Sequence, residues 1–343
     1  MACSVIVVAY NSRAYLPACL ESILADLGPE DELIVVDNGS ADGSAALVRE
    51  QFPQARLIAS SNTGFAAGNN LGAQFAHGDY LVLLNPDTVA RPGAIRALAA
   101  PLAQPGVGLS TACVVHMRQP NRINTCGNTM HYTGLTYCRG ANRPAREFAT
   151  PAEVDAVSGA AFAIRRDVFE QLGGFDPHFF MYVEDTDLSL RARLAGYRCV
   201  YVPEAVVEHD YRPAYSPAKA FYLDRNRHLM LLKNLSRSTY TRLLPGLLLG
   251  ELVTWGFLLI KGPRFWGVKL RVYRALWAGR AAIRVARRAA RRQRSHPDRA
   301  LMGNLTHRLE FGQLAHRALA AAAGMIFHPA FWAARQLFAR GRV

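Results

Sequence analysis

The sequence predicts an α/β fold in which a mostly parallel sheet is flanked by helices. Short, almost continuously apolar runs alternate with helix-forming runs through residues 1–90, which is typical of parallel strands covered on both faces. Polar residues collect directly after these apolar runs, where open α/β sheets bind ligands. With 343 residues, 50% of them hydrophobic, the chain can bury a sizeable core and is long enough for about two domains.

The elements of residues 1–90 follow in order. The apolar runs predict four strands, which lie in SVIVVAYNS (4–12), ELIVVDNGSADGS (32–44), ARLIAS (55–60) and YLVLLNPDT (80–88). Three intervening runs predict helices, namely YLPACLESILA (15–25), residues 45–51, and NTGFAAGNNLGAQFA (62–76), which is predicted to begin as a loop. The carboxyl ends of such strands meet at one edge of the sheet.

The next part of the chain is less regular. Residues 107–150 mix aromatic and polar side chains, and the only elements that they suggest are strands without clear bounds. VDAVSGAAFAIRRDVFEQLGGFD (154–176) predicts a strand and a helix that ends at a Gly-Gly pair, and CVYVPEAVVEHDY (199–211) predicts a strand pair ending at His209.

Between these segments lies FMYVEDTDLSLRARLAGY (180–197), which places three carboxylates at the start of a predicted helix. Carboxylates in a first helical turn are stabilised by the helix dipole, and Asp187 is spaced to pair with Arg191. This structural role alone could explain the acidic cluster.

Charge divides the chain into two parts. Residues 1–209 hold 15 Lys/Arg against 21 Asp/Glu, whereas residues 210–343 hold 25 against 5. We therefore predict a globular domain over 1–238 and a basic, apolar helical region over 239–343. A strongly basic region favours a polyanionic partner, such as nucleic acid, an anionic membrane or a phosphate-bearing substrate.

The helical region combines apolar and basic segments. LLPGLLLGELVTWGFLLI (243–260) has 18 residues and one charge, the lower limit for a spanning helix, and Glu251 would cost about 2.5–3.5 kcal/mol at the bilayer centre. Residues 272–294 predict one Arg-rich amphipathic helix, and residues 318–334 a further apolar one. We expect this region to lie on an anionic membrane surface. Two alternatives stay open. The basic helix could be solvated and packed on its own domain, and residues 243–260 could form a helix that spans the membrane.

The cysteines and the start of the chain bear on location. The six cysteines are scattered, without metal-like spacing, which fits reduced thiols in the cytoplasm. The first residues form a strand pattern rather than a charged and then apolar leader, so no secretory signal is predicted.

Several polar side chains at strand ends point to chemistry. Asp37 is placed to accept hydrogen bonds from a base or a ribose, and Asp87 and His209 are ligand types that suit Mg²⁺ or Mn²⁺. Singly, each has an equally good explanation as a turn, cap or structural residue. Together they suit a site where a metal neutralises a departing nucleotide diphosphate and the acidic cluster supplies a general base.

The quoted segments, together with LLNPDT, VEH and RNRHLMLLKN, resemble family 2 glycosyltransferases of the GT-A fold. These enzymes have a Rossmann-like sheet and use nucleotide-diphospho-sugars. The likeness is nearest to bacterial rhamnosyltransferase-like members and runs in order over about residues 3–235. The resemblance implies a set of donor-binding positions, namely Ala9, Tyr10, Asn11, Asp37, Asn62, the Gly64–Gly68 loop, Asn85, Ser158 and Gly159.

The resemblance also implies catalytic and metal positions. Asn85 and Asp87 stand where the family has its DxD motif, so Asp87 is the expected metal ligand, with fewer charges than usual because the first acid is Asn. Glu184 and Asp185 match the acidic pair whose last member serves as the base. His209 matches a residue that contacts the metal and the diphosphate. The following DYRPAYS departs from the Gly-rich family pattern, which leaves Arg212 or Ser216 as a candidate phosphate contact.

The expected function is that of an inverting glycosyltransferase. It would move a sugar, L-rhamnose from dTDP-rhamnose, to a polyprenyl-diphosphate-linked or polysaccharide acceptor in cell-envelope synthesis, on the cytoplasmic face of a bacterial inner membrane. A galactofuranosyl or other hexosyl transferase using a UDP-sugar stays open.

Two readings from other classes are weaker. A basic nucleic-acid-binding protein would interleave aromatic and basic residues, which this chain does not, so no nucleic-acid partner is predicted. A nucleotidyltransferase would need a basic, Gly-rich phosphate loop near the N-terminus, and AYNSRAY is not one.

Overall fold

The structure, a computed structural model, describes residues 2–212, 215–313 and 317–340. The chain forms two compact units. The described residues of the first are 2–128, 138–192 and 196–212; those of the second are 129–137, 193–195 and those from 215 onward. The division therefore falls earlier than residue 238, and a segment from the middle of the chain belongs to the second unit.

The described strands are β1 Cys3–Ala9, β2 Glu32–Asp37, β3 Arg56–Ala59, β4 Tyr80–Leu84, β5 Thr88–Ala90, β6 Val107–His116, β7 Gln119–Thr125, β8 Asn128–Met130, β9 Thr136–Cys138, β10 Ala152–Glu153, β11 Ala161–Arg165 and β12 Arg198–His209. The strands β1, β2 and β4 are short and apolar, as expected for the buried centre of a sheet. Ten strands form one sheet in the order β10-β12-β6-β11-β4-β1-β2-β3, with β5 added to β12 and β7 to β6. β8 and β9 pair separately.

Strand direction sets where the polar residues collect. β1 runs parallel to β2 and β4, β2 to β3, and β6 to β12, whereas β11 is antiparallel to both β4 and β6. The start of β11 therefore lies beside the end of β4, where the Asn85 N–H donates to the Ala160 carbonyl at 3.0 Å. We call this side of the sheet, which holds the ends of β1, β2, β4, β6 and β12, the carboxyl edge.

Six helices have their beginnings in the first unit. They are α1 Leu16–Leu24, α2 Ser44–Gln51, α3 Gly64–Gln74, α4 Ala94–Ala99, α5 Arg166–Gln171 and α6 Glu184–Leu194. α3 lies unusually close to β1, because a Cβ at Gly68 would stand 2.8 Å from a Val8 methyl and one at Gly72 2.6 Å from an Ile6 methyl. The predicted Gly64–Gly68 loop is thus the start of α3.

The second unit is helical. Its main helices are α7 Pro217–Asn234, α8 Arg237–Ile260, α9 Pro263–Trp266, α10 Val268–Ala278, α11 Arg280–Arg292, α12 Asp298–Asn304 and α13 Arg317–Arg340. The single helix predicted over 272–294 is two helices, because the chain breaks at Gly279 between α10 and α11. Among the described residues, α8 alone is long and apolar enough to cross a membrane.

Candidate active site

The loops that follow β1 and β2 are joined at the carboxyl edge. The Asn11 N–H donates to the Ser40 hydroxyl at 3.0 Å, and the Asn11 side-chain oxygen accepts from the Ala41 N–H at 2.8 Å. Asn11 has a φ of 51°, a left-handed conformation that Asn tolerates better than most residues. The predicted donor-binding segment Ala9–Asn11 therefore stands next to Asp37, with the Tyr10 side chain 50% exposed.

Asp37 offers an unused acceptor. Its side chain is buried, and Oδ2 accepts from the Ser40 N–H at 3.3 Å. Oδ1 is buried and has no hydrogen-bond partner among the described residues. Because an unpaired buried acceptor costs about 1–3 kcal/mol, this oxygen suits an N–H or O–H group that a ligand supplies.

Asn62 and Gly64 connect this region to the acidic cluster. The Asn62 side-chain oxygen accepts from the Gly64 N–H at 3.2 Å. Gly64 has a φ of +87°, and a Cβ there would lie 2.4 Å from the Phe180 carbonyl oxygen. Only glycine fits both the conformation and this approach.

Gly68, by contrast, faces the sheet. It is buried against Val8, so its position does not support the predicted contact with the nucleotide. Its role is to bring α3 close to β1.

Asp87 and His209 meet because β5 folds back on β12. His209 pairs with Thr88 in the strand register, and the Asp210 N–H donates to the Asp87 carbonyl at 3.0 Å. As a result, Asp87 Oδ1 lies 3.3 Å from His209 Nε2. His209 is buried and the Asp87 side chain is partly exposed. Asn85 precedes them, half-buried at the end of β4.

Asn124, at the end of β7, orients His209. Its side-chain oxygen lies 2.9 Å from His209 Nδ1. An amide oxygen only accepts, so Nδ1 carries the proton and the lone pair of Nε2 faces the Asp87 carboxylate. With this tautomer, Nε2 and Asp87 Oδ1 are two acceptors that face each other, an arrangement that suits a bound metal ion.

The donor set fits a divalent metal. Two ligands at right angles, each about 2.1 Å from an octahedral ion, are about 3 Å apart, and Asp87 Oδ1 and His209 Nε2 are 3.3 Å apart. A carboxylate, a neutral imidazole and open positions suit Mg²⁺ or Mn²⁺. Asn124 then acts as the outer partner that fixes the histidine. Sequence reasoning missed Asn124, since it lies in the segment without a clear pattern.

Asp185 is held at the start of α6 by donors on both carboxylate oxygens. Oδ2 accepts from the Gly159 N–H at 2.8 Å and from the Asn128 amide at 3.3 Å. Oδ1 accepts from the Thr186 N–H at 2.6 Å and its hydroxyl at 3.2 Å. Asn128 was likewise missed by sequence reasoning.

The loop before β11 supplies one of these donors. Ser158 is buried and its N–H donates to the Thr111 hydroxyl at 3.1 Å, which fixes the backbone that presents the Gly159 N–H to Asp185. Because Ala160 also bonds Asn85, this loop joins Asp185 to the end of β4. Asp185, Asn85 and Asp87 therefore lie along one stretch of the carboxyl edge.

Glu184 differs from its neighbour. Its side chain is buried, and Oε2 has no partner among the described residues. Burial raises the pKa of the Glu184 carboxyl well above its ordinary value, and the Asp185 and Asp187 carboxylates add to the rise. Burial also raises the pKa of Asp185, although hydrogen bonds from Gly159 and Thr186 oppose the rise. Of the two, Asp185 is the one whose donors stabilise the ionised form.

The third acid of the cluster is structural. Arg191 Nε donates to Asp187 Oδ2 at 2.8 Å, and both side chains are buried. The other guanidinium nitrogens donate to the Leu172 and Gly174 carbonyls at 2.7 and 2.8 Å. The predicted pairing four residues apart is therefore confirmed.

The residues ahead of α6 are strained. Phe180, Tyr182 and Val183 have φ values of 62°, 68° and 69°, a region that costs non-glycine residues about 1–3 kcal/mol each. Such a conformation is unusual for a β-branched residue. The segment delivers the Glu184–Asp185 pair to the carboxyl edge.

The two candidate phosphate contacts are in different settings. Arg212, in the first unit, is exposed and its guanidinium lies 3.0 Å from the Asp210 carboxylate. Ser216 caps α7, where its hydroxyl accepts from the Lys219 N–H at 3.1 Å. Pro213 and Ala214, which are part of the DYRPAYS segment, lie outside the described residues.

Comparison with known structures identifies the fold. The mannosyltransferase PcManGT of Pyrobaculum calidifontis, in complex with GDP-Man and Mn²⁺, superposes with a TM-score of 0.51 at 18% identity, covering 99% of this chain and 88% of that one. S. aureus TarS 1–349 in complex with UDP-GlcNAc gives a TM-score of 0.55 at 16% identity, covering 100% and 93%. The fold is that of the GT-A glycosyltransferases.

Sequence comparison gives the family. The family model described as "Glycosyltransferase like family 2" matches residues 2–228, and the chain belongs to this family. The chain is 30% identical over 229 residues to an N-acetylglucosaminyl-diphospho-decaprenol L-rhamnosyltransferase of Mycobacterium tuberculosis, covering 60% of this chain and 75% of the relative. It is 25% identical over 261 residues to the rhamnosyltransferase WbbL of Escherichia coli, covering 70% and 97%.

Proposed function

We propose that this protein is an inverting glycosyltransferase that moves L-rhamnose from dTDP-L-rhamnose to a lipid-linked acceptor in cell-envelope glycan synthesis. The observation that carries the proposal is the placement of Asp185, an oriented carboxylate on the same edge of the sheet as the Asp87–His209 pair and the unpaired Asp37 oxygen. The rhamnosyltransferases among the relatives support the choice of sugar.

The chain supplies a base. An acceptor hydroxyl gives its proton to the Asp185 carboxylate as its oxygen bonds to the anomeric carbon. The bond from that carbon to the diphosphate oxygen breaks, and the bonding electrons leave with the nucleotide diphosphate. Attack opposite the leaving group inverts the configuration. The raised pKa of Asp185 makes it a stronger proton acceptor than an ordinary aspartate.

The leaving group needs positive charge. Asp87 and His209 would hold Mg²⁺ or Mn²⁺, which when bound neutralises charge on the diphosphate. Asn124 keeps His209 Nε2 free to face this group. Since Asn85 replaces an acid of the family motif, the chain would hold the metal with one carboxylate and one imidazole at these positions.

The loops after β1, β2 and β3 would bind the nucleoside. Asp37 Oδ1 accepts from the base or the ribose, and Tyr10 and Asn11 border the same space. The half-exposed Tyr10 ring provides an aromatic surface for a pyrimidine. Thymine and uracil differ by one methyl group, so a UDP-sugar remains the competing donor.

The acceptor is proposed to be a polyprenyl-diphosphate-linked glycan at the cytoplasmic face of a bacterial inner membrane. The 25 Lys/Arg against 5 Asp/Glu in residues 210–343 suit both an anionic membrane and an anionic lipid carrier. The relative from Mycobacterium tuberculosis is named for a decaprenol-diphosphate acceptor.

A donor panel tests this proposal. Purified full-length protein is incubated with dTDP-L-rhamnose, UDP-glucose, UDP-galactofuranose and GDP-mannose, each with Mg²⁺, with Mn²⁺ or with EDTA. Transfer to a synthetic N-acetylglucosaminyl-diphospho-lipid is followed by mass spectrometry. We expect product from dTDP-L-rhamnose only, with loss in EDTA.

Transfer from a UDP-sugar alone would overturn the choice of donor but leave the transferase assignment intact. No transfer or hydrolysis from any donor, together with salt-sensitive binding of DNA, would instead favour the nucleic-acid-binding alternative.

A further inference from the structure

Many large apolar side chains of the second unit are exposed to solvent. All four tryptophans of the chain lie in this unit, and each is at least 36% exposed. On α8, one stripe at helical spacing is exposed, comprising Leu244, Leu248, Leu252, Trp255 and Leu259. A row of large apolar side chains left uncovered along one helix is typical of an interaction site.

Contacts extend this stripe onto α9 and α10. The Trp255 indole N–H donates to the Tyr273 hydroxyl at 3.1 Å, and the Trp266 indole N–H donates to the Leu259 carbonyl at 3.3 Å. Leu270 and Trp277 continue the exposed face along α10. We call these exposed residues of α8, α9 and α10 the apolar face.

Cations border the apolar face. The Lys261 ammonium lies 5.3 Å from the centre of the Phe257 ring, and the Arg280 guanidinium 4.7 Å from that of Trp277. Arg264, Arg271 and Arg274 are nearby in sequence on α9 and α10. Exposed tryptophans, one of which has an Arg against its ring, together with further Lys and Arg on the same helices, favour the interface of an anionic bilayer over a protein partner.

The opposite side of α8 is fixed inside the unit. A Cβ at Gly246 would stand 2.3 Å from the Tyr132 ring, and Gly250 faces Thr133. Glu251 is one helical turn from Leu248 and from Trp255 and so lies at the margin of the exposed stripe. It contacts Arg227 of α7 and, at 2.9 Å, Lys269 of α10. Arg227 and Lys269 are almost fully buried.

The cluster around Glu251 is an ion-pair network rather than a metal centre. Asp224, His228 and Glu251 place ligand-type atoms within 4.8 Å of one another. However, Lys269 lies 2.7 Å and Arg227 3.0 Å from the Asp224 carboxylate, so protein cations already neutralise both acids.

A spanning α8 would have to leave these contacts. Withdrawing Glu251 would leave the buried Arg227 and Lys269 with half of their counter-charge, which is strongly unfavourable. We propose that α8 lies in the plane of an anionic membrane, with the apolar face inserted among the headgroups and acyl chains, and with Glu251, at the margin of that face, held by Arg227 of α7 and Lys269 of α10. This orientation of α8 rests on the membrane association in the proposed function and specifies how the protein contacts the membrane.

Vesicle binding tests the surface. Full-length protein is floated with phosphatidylcholine vesicles that contain about one third phosphatidylglycerol. Replacing Leu248 with Glu should lower binding by about tenfold or more, since that is the partition value of one buried leucine. The Gln51→Glu control adds the same charge to an exposed side chain of α2 and should bind as the wild type does. Sugar transfer to a soluble acceptor should be unchanged in both.

Sidedness tests the in-plane orientation. In a Cys138→Ser parent, whose five other cysteines are buried, the exposed Ser238 and Ser295 are replaced singly by Cys. A membrane-impermeant maleimide should label both in inverted inner-membrane vesicles and neither in intact spheroplasts.

The failures are distinguishable. Labelling of the two positions from opposite sides would overturn the in-plane orientation while keeping the membrane assignment. Wild-type protein that fails to float, or that forms a dimer broken by Leu248→Glu, would overturn the membrane surface itself. Neither result would change the sugar transfer that we expect in the donor panel.

Discussion

The asparagine at position 124 illustrates how one neutral side chain can set the chemistry of another. Its oxygen accepts a hydrogen bond from His209 Nδ1, and this leaves the lone pair of Nε2 available on the side that faces Asp87. The histidine and Asp87 come from strand ends that sequence motifs can locate. Their orientation depends on a residue that no motif locates.

Replacing Asn124 by Ala should therefore weaken metal binding without removing a ligand. We expect the concentration of Mn²⁺ needed for half-maximal donor binding to rise by about 10- to 100-fold, with little change in the rate at saturating metal. Calorimetric titration with metal and nucleotide measures this effect. An unchanged metal requirement would mean that Asn124 has only a packing role.

Glu184 should make stability depend on pH. Its pKa is raised in the folded chain, so its contribution to stability is complete below its ordinary pKa and is lost as the pH rises through the folded value. The wild-type free energy of unfolding should fall over this window by up to about 1.4 kcal/mol per pH unit.

Glu184→Gln removes that titration. The free energy of unfolding of this variant, measured with urea between about pH 5 and about pH 8, should fall less steeply than that of the wild type. The comparison uses the slope of the free energy of unfolding against pH. The absolute free energy is not compared, because the amide introduces hydrogen-bond donors that change it at every pH. Parallel slopes would show that Glu184 is not the group that titrates.

At the scale of elements, the contact between α3 and the segment before α6 positions the base. Gly64 lies against the Phe180 carbonyl, and the strained residues up to Val183 follow directly. A substitution at Gly64 should therefore change the position of the Asp185 carboxylate.

Gly64→Ala and Gly93→Ala form a matched pair for this idea. Both glycines have positive φ values, +87° and +81°, but a Cβ at Gly93 would meet nothing within 4 Å. Gly93→Ala should cost only the backbone term, about 1–2 kcal/mol. Gly64→Ala should cost more and also lower kcat. Equal effects of both changes on kcat would argue against the coupling.

Much of the sheet could be predicted because its strands are continuous apolar runs, and this also locates Asp37, Asp87 and His209 at strand ends. The bounds of β6 were not predicted, although it lies inside the sheet between β12 and β11. It buries Ser110 and Thr111, whose hydroxyls donate to the Leu98 and Ala161 carbonyls. Local hydrophobicity cannot reveal polar groups satisfied by distant backbone.

The packing of residues 129–137 could not be predicted from the sequence for a similar reason. Residues 129–137 belong to the second unit because they pack on residues far along the chain, such as Tyr132, whose hydroxyl donates to the Phe331 carbonyl at 3.0 Å. Truncation after residue 240 would leave these side chains without partners, so surface substitutions are the cleaner test of membrane binding.

At the scale of the whole molecule, charge is unevenly distributed along the sequence. The excess of 20 positive charges in residues 210–343 should make binding to phosphatidylglycerol vesicles fall as NaCl rises from about 0.05 to about 0.5 M, because salt screens exposed charges. If vesicle binding does not change with the NaCl concentration, the apolar face alone supplies the attraction to the membrane. Flotation at each salt concentration measures the difference.

The role of Asp185 is the central claim, and one comparison tests it most directly. Transfer and donor binding are measured side by side for the wild type, Asp185→Asn and Asp167→Asn, the last altering an exposed carboxylate of the same unit. Asp185→Asn should bind the donor normally but transfer sugar about 100- to 10 000-fold more slowly, as expected for loss of a general base. Asp167→Asn should behave as the wild type. Transfer by Asp185→Asn at the wild-type rate would contradict the account.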